Sequence, residues 1–129
     1  MIRSSNVLFY SVAMKQEKDF FAAVLCLAKP HTPSDREPNA AEREAAIAAL
    51  EEAQIEQVCD CGTCLTYNLL YPGEPIDQGL PRTYLSVSTQ GGDALVLAHL
   101  AGVRLTTLEV APTGNKSVVA LPDADHLTP

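Results

Sequence analysis

The sequence predicts a small α+β fold: an antiparallel sheet of about four strands, in meander order, packed against one or two helices. Three observations lead there. An alanine-rich, acidic segment from Ala40 onward has helical periodicity and opens with Asn39 and Glu42 at capping-box spacing. Three β-favouring runs, Thr83 to Thr89, Ala94 to His99 and Val103 to Val110, follow one another through connections too short for the crossover that a parallel pair needs. Hydrophobic residues form 47% of the chain and charged residues 19%, the balance of a globular protein; with no Trp and 5% aromatics, its core is aliphatic and alanine-rich.

A chain of 129 residues is expected to form a single domain. Its expected parts are an N-terminal helical segment (1–29), a proline-rich linker (30–38), an α+β core (39–112) and a tail (113–129). In the first part, Val7 to Val12 is a candidate strand and Gln16 to Ala28 the firmer helix. Phe20, Phe21, Val24, Leu25 and Leu27 recur at offsets of three and four, and Lys29-Pro30 stops the pattern. Cys26, inside that apolar run, reads as a small core hydrophobe. Val7 to Met14 and Phe20 to Ala28 are both apolar, but Lys15-Gln16-Glu17-Lys18-Asp19 divides them, and neither approaches the roughly 20 residues of a membrane span. Arg3 alone is a thin basic flank for a signal peptide, so a cytoplasmic protein with reduced thiols is expected.

The second helix is expected from Ala40 to about Gln57. Ala46, Ile47, Leu50 and Ala53 fall on one side of it, and Glu44, Glu51, Glu52 and Glu56 on the other. Ile55 and Val58 drift off the apolar stripe, as in a helix that unwinds. Leu65 to Tyr71 follows as a strand closed by Pro72-Gly73, and Glu74 to Arg82 as a loop. With Gly91-Gly92 as the turn of the next hairpin, Leu85 and Val87 share a face with Val96 and Ala98, while Leu95 and Leu97 point the other way. Neither face is clearly polar. The expectation is therefore that a helix covers one and the N-terminal segment or a second copy the other, the latter giving a homodimer through the sheet face. Ser117 to Leu121 is a candidate edge strand, and Asp123 to Pro129 a mobile end.

Charge is unevenly placed. Between Asp35 and Asp60, eight carboxylates against two arginines account for six of the seven excess negative charges. Such a field repels nucleic-acid phosphates and anionic membranes and favours a basic protein partner.

The densest chemistry is Cys59-Asp60-Cys61-Gly62-Thr63-Cys64. Cys59, Cys61 and Cys64 have the spacing of thiolates that wrap one soft ion such as zinc, although the fourth ligand would have to come from Cys26, His31, His99 or His126, none of which forms a spaced pair. Cys61-Gly62-Thr63-Cys64 also has redox C-G-x-C form, but in thioredoxin-like proteins that motif follows a strand and opens a helix, and here a helix is expected before it and a strand after. The remaining alternative is three core thiols around a glycine that permits a change of direction. His99 and Glu109 lie on neighbouring expected strands, the minimum for acid–base work, yet no third group completes a triad. Tyr67, Tyr71 and Tyr84 lack the basic neighbours of a base-stacking platform and read as half-buried sheet residues.

Together with Gly92-Asp93-Ala94-Leu95-Val96-Leu97-Ala98-His99 and Leu108-Glu109-Val110, the cysteine stretch resembles a group of small bacterial proteins of unknown function. These combine a helix, a C-x-C-G-x-C segment and a β-meander ending in a Leu-Glu-Val strand. The resemblance covers residues 40 to 112 and implies an α+β fold with no assigned activity. The functional expectation is a non-enzymatic interaction protein, immunity-like in binding a basic protein partner through Glu44, Glu51, Glu52 and Glu56. The alternatives are a small zinc protein using Cys59, Cys61 and Cys64, and a thiol-redox protein.

Overall fold

A computed structural model describes residues 16–59, 64–73, 79–114, 117–118 and 120–128. The candidate strand Val7 to Val12, Asp60 to Thr63 of the cysteine stretch, and the first part of the loop after Gly73 lie outside the described residues. The fold is α+β. Helix α1 (residues 16–27) leads into a two-residue strand β1 (Lys29–Pro30), and helix α2 (Ala40–Ala49) continues as a 3-10 turn (Leu50–Glu52). Strands β2 (Gln54–Cys59), β3 (Leu65–Leu70), β4 (Arg82–Thr89), β5 (Ala94–Ala101), β6 (Arg104–Pro112) and β7 (Leu127–Thr128) complete it. The seven strands form one sheet in the order β1-β4-β5-β6-β3-β2, with β7 on β4, and every pairing is antiparallel. The expected meander holds for β4, β5 and β6, whereas β3 pairs with β6 instead of β4, and the sheet extends beyond four strands on both sides.

Four sequence expectations change. The second helix stops at Ala49 rather than near Gln57, because residues from Gln54 onward pair with β3, Gln54 opposite Leu70 and Gln57 opposite Tyr67. Strand pairing outweighs local helix propensity here, and extended geometry buries Ile55, which a continued helix would have left off its stripe. The tail is anchored near its end, since Leu127 is buried and β7 pairs with Ser88 and Thr89. Of the run Ser117 to Leu121, the described residues carry no strand. Cys26 is exposed, on the side of α1 away from Phe21, Val24 and Leu25.

The hairpin register is the one the glycines specify. Leu85 faces Ala98 and Val87 faces Val96, and the connection turns through Gly91 and Gly92 at φ of 84° and 72°, a region side chains with a Cβ rarely adopt. Alternation then gives the sheet two different faces. On one, Leu85, Val87, Val96, Ala98, Leu100, Leu105, Leu108, Val110, Leu65, Tyr67, Leu69 and Ile55 are all buried. Both helices cover that same face. Phe20, Phe21, Val24 and Leu25 of α1 and Ala46 of α2, with Leu50 beyond it, complete the core, and the Phe21 ring meets Tyr67 edge-on at 5.5 Å. Leu25, Ala46, Leu85 and Leu100 line one small internal space of about 10 Å³, which places both helices against β4 and β5.

Polar side chains fix how the helices enter. The Asn39 carboxamide oxygen accepts from the Glu42 N–H at 2.8 Å, the Glu42 carboxylate accepts from the Asn39 N–H at 2.9 Å, and Arg36 clamps that carboxylate in two bonds of 2.9 and 2.8 Å. Arg36 and the capping N–H hold the Glu42 carboxyl down at about 2. The Arg43 guanidinium, 13% exposed, donates to the Leu25 carbonyl at 2.8 Å, satisfying an otherwise orphaned group in the last turn of α1, and faces Glu37 at 3.6 Å. The linker is thus docked: His31 N–H donates to the Tyr84 carbonyl, and Asp35 accepts from Tyr84 N–H, from Thr32 N–H and from the Thr32 hydroxyl. Desolvation works against the ionised Asp35, and those bonds with nearby His31 outweigh it, so its carboxyl titrates below the ordinary range.

Removing the cap should be felt globally. Asn39→Ala is expected to lower unfolding free energy by about 1 kcal/mol, measured by urea denaturation. Because the Glu42 pKa is depressed in the folded state, its contribution is present above about pH 4.5 and lost as pH falls toward 2. Glu42→Gln should flatten that acid limb.

Candidate functional site

The face of the sheet opposite the helices is the candidate site. Pleat parity lines up one residue from each of five strands: Tyr84 opposite His99, His99 opposite Thr107, Thr107 opposite Asn68, and Asn68 opposite Glu56. At strand spacing this row is about 19 Å long. The next row holds Ser86, Leu97, Glu109 and Thr66, and the one beyond it Ser88, Leu95 and Ala111. A bulge sets the alignment. Between His99–Leu100 on β5 and the Leu105–Thr107 stretch of β6, Thr106 is the extra residue, its hydroxyl donating to the His99 carbonyl at 3.0 Å.

Side chains along the rows touch. Tyr84 and His99 rings stack edge-to-face at 4.9 Å, Thr107 donates to the Asn68 carboxamide at 3.2 Å, and His99 Nε2 lies 3.7 Å from Glu109 Oε1. His99 and Glu109 are each about one-third exposed, Tyr84 is 41% exposed and Leu70, beside the polar row, 52%. Sequence reasoning thus brought His99 and Glu109 together. It did not find that Tyr84, alone of the three tyrosines compared, faces outward. Tyr67 and Tyr71 are buried; the Tyr71 hydroxyl donates to the Leu105 carbonyl at 2.7 Å, and desolvation pushes it up to about 12 although Arg104 sits over its ring.

The acidic residues divide. Glu44 lies on α2, Glu51 and Glu52 in the 3-10 turn, and Glu56 on β2, so Glu56 is not on a helix. Ile55 points into the core, hence Glu56 belongs to the open face. All four are exposed, and Glu51 and Glu52 lie just before β2, the outer strand of the sheet. Of the described cations, Lys29 and Arg43 face Glu37, Arg36 holds Glu42, and Lys18 donates to the Glu51 carbonyl at 3.3 Å. Beside this edge a pocket of about 390 Å³ is lined by Ala45, Ala48, Ala49, Glu52, Tyr71, Gly73 and Arg104.

Among the described residues no group of three His, Cys, Asp or Glu side chains converges as a metal site. Cys61 lies outside them; Cys64 is half-buried just before β3, and Cys59 ends β2. The stretch follows a strand, not the expected helix, and opens into another strand, so the macrodipole of α2 does not act on it directly. No helix among the described residues is long and apolar enough to cross a membrane.

One side chain was missed. Glu17 sits on the core stripe of α1, at the spacing of Phe20, Phe21, Val24 and Leu25; it is 7% exposed, and its Oε1 has no hydrogen-bond partner. Desolvation pushes its carboxyl up to about 7. The i, i+3, i+4, i+7 spacing is the signal that would have revealed it, had the charged run around it not been read as a divider.

Comparison with protein-family models, with curated proteins and with solved structures finds no match to this chain.

The Glu17 pKa is raised in the folded state, so the folded form binds the extra proton between about 4.5 and 7 and stability falls as pH rises through that window. Glu17→Gln should remove the fall and stabilise the protein at pH 8 by on the order of 1–2 kcal/mol, read from urea midpoints at pH 5 and 8.

Proposed function

We propose that the chain is a non-enzymatic interaction protein that binds a basic protein partner. The supporting observation is the set of exposed carboxylates Glu44, Glu51, Glu52 and Glu56 along α2, the 3-10 turn and β2, in the segment that carries six of the seven excess negative charges. An exposed carboxylate group of this kind steers a cationic partner and rejects phosphate backbones. An immunity-type inhibitor of a cationic toxin, acting in the cytoplasm, fits these requirements. Catalysis fits less well, because His99 and Glu109 lie on an open sheet face where both stay solvated.

Capture from lysate at low salt is the test. Wild type is expected to retain a discrete set of basic proteins that elute by about 0.3 M salt, and the Glu44→Gln, Glu51→Gln, Glu52→Gln, Glu56→Gln variant to lose them. Unchanged retention would overturn the reading.

A second reading, a small zinc protein using Cys59, Cys61 and Cys64, is favoured by the hairpin. Cys59 pairs with Thr66, and Cys64 stands two residues before Thr66, so the two ends of the cysteine stretch are held together. Elemental analysis of protein purified without a histidine tag decides it. Stoichiometric zinc would establish this reading, and zinc far below one equivalent would remove it.

A further inference from the structure

Glu56, the one of the four glutamates that the sheet itself carries, ends the polar row Glu56–Asn68–Thr107–His99–Tyr84 on the open face. A second carboxylate, Glu109, lies in the adjacent row with Leu97 directly opposite on one side and Thr66 on the other. Arg82 stands at the rim of the face, where β4 begins. From edge to centre, the surface therefore offers carboxylates separated by hydroxyl, amide and imidazole groups and bordered by half-exposed Leu95, Leu97 and Leu70.

We infer that the open face is a docking surface for a basic polypeptide segment that also carries aliphatic side chains, lying along the row from Glu56 toward Tyr84 with cations on Glu56 and Glu109 and apolar groups on Leu97. This rests on the basic-partner reading and names the surface that takes the partner. Charge chooses among occupants. A second copy laid face to face would bring together two surfaces that each carry Glu56 and Glu109, and apposing faces of one sign costs affinity. Nucleic acid and anionic lipid meet an excess of seven negative charges. A purely cationic chain would leave the leucines uncovered, whereas alternating basic and aliphatic residues satisfy both. A row of about 19 Å matches about six extended residues.

Two labelled peptides, one of three Lys-Leu repeats and one of three Glu-Leu repeats, together with hexalysine, test this on the full chain. NMR on the wild-type protein should show the Lys-Leu peptide shifting amides of β5, β6 and β3, including Leu97, His99 and Glu109. Anisotropy titration should show Glu109→Gln weakening it by about tenfold, with the Glu44→Gln, Glu51→Gln, Glu52→Gln variant changing it by less than about threefold. Thermal melts that match wild type confirm the variants are folded. Shifts confined to Glu44, Glu51 and Glu52, or equal binding of hexalysine, would overturn the sheet-face inference while leaving the basic-partner reading intact. Failure of both cationic peptides to bind, or equal binding of the Glu-Leu peptide, would overturn both. A dimer in sedimentation that dissociates on Glu109→Gln would overturn the inference in favour of self-association.

Discussion

Alternation along the central strands is the constraint from which the remaining structure follows. Once Leu85 is set opposite Ala98 and Val87 opposite Val96, the middle of one side of β4 and β5, between Thr83 and Thr89, is apolar and has to be sealed from water. Phe21 and Val24 of α1 and Ala46 of α2 are what seal it, each fully buried. Burial of a side chain the size of Phe or Leu contributes roughly 1.5–3 kcal/mol, so the helices are held chiefly by this contact. Their small residues, Ala28 and Ala46 among them, let the backbones approach closely where an aromatic would hold them off. The same parity sends Leu95, Leu97, His99, Thr107 and Glu109 to the other side, where the described residues lay no helix.

Polar contacts then decide where each helix begins and how the linker runs. Arg43 is the clearest case: one guanidinium ties the end of α1, the start of α2 and the linker carboxylate Glu37 together while nearly out of solvent. A lysine would reach the same place as a point charge, without a planar fork to serve a carbonyl and a carboxylate at once. Glu17 works in the opposite direction. Its position on the stripe of α1 leaves a buried acid whose Oε1 has no hydrogen-bond partner, and desolvation raises its carboxyl to about 7.

Much of this was legible beforehand because it is local. The Asn39–Glu42 box, the glycine turn and the β4 to β6 runs are each specified within a few residues, and α1 follows from a single apolar period. What escaped was non-local. Leu50 to Gln57 has helical composition, and only the strand it pairs with, 10 to 16 residues further along, turns its second half into β2. Leu127 enters the core because β4 has an outer edge to offer it, which no tail composition announces. Cys26 was misjudged by one step around the helix, a 100° error in facing that an apolar run cannot reveal. On the candidate site, the pairing of His99 with Glu109 could be anticipated from neighbouring strands. The row joining them to Tyr84 and Glu56 could not, since it depends on the bulge at Thr106 and on β3 joining the far side of β6.

The division of carboxylates bears on how such a surface works. On a continuous helix all four glutamates would share one side, and a partner would meet a stripe of charge with no shape. Breaking the helix at Ala49 leaves Glu44, Glu51 and Glu52 beside the alanine wall of α2 and turns Glu56 over the edge onto the sheet. Charge at the edge acts at long range and on the rate of encounter, while charge set among leucines on a flat sheet acts at contact, where a cation loses part of its water. For a basic segment docked as proposed, a glutamate flanked by Leu97 and Thr66 would set register more tightly than the solvated edge. His99 lies 3.7 Å from that carboxylate, and its ring packs edge-on against Tyr84. An incoming cation would have to replace that contact, which favours a charge on a stem long enough to reach past the imidazole and apolar enough to lie against the leucines.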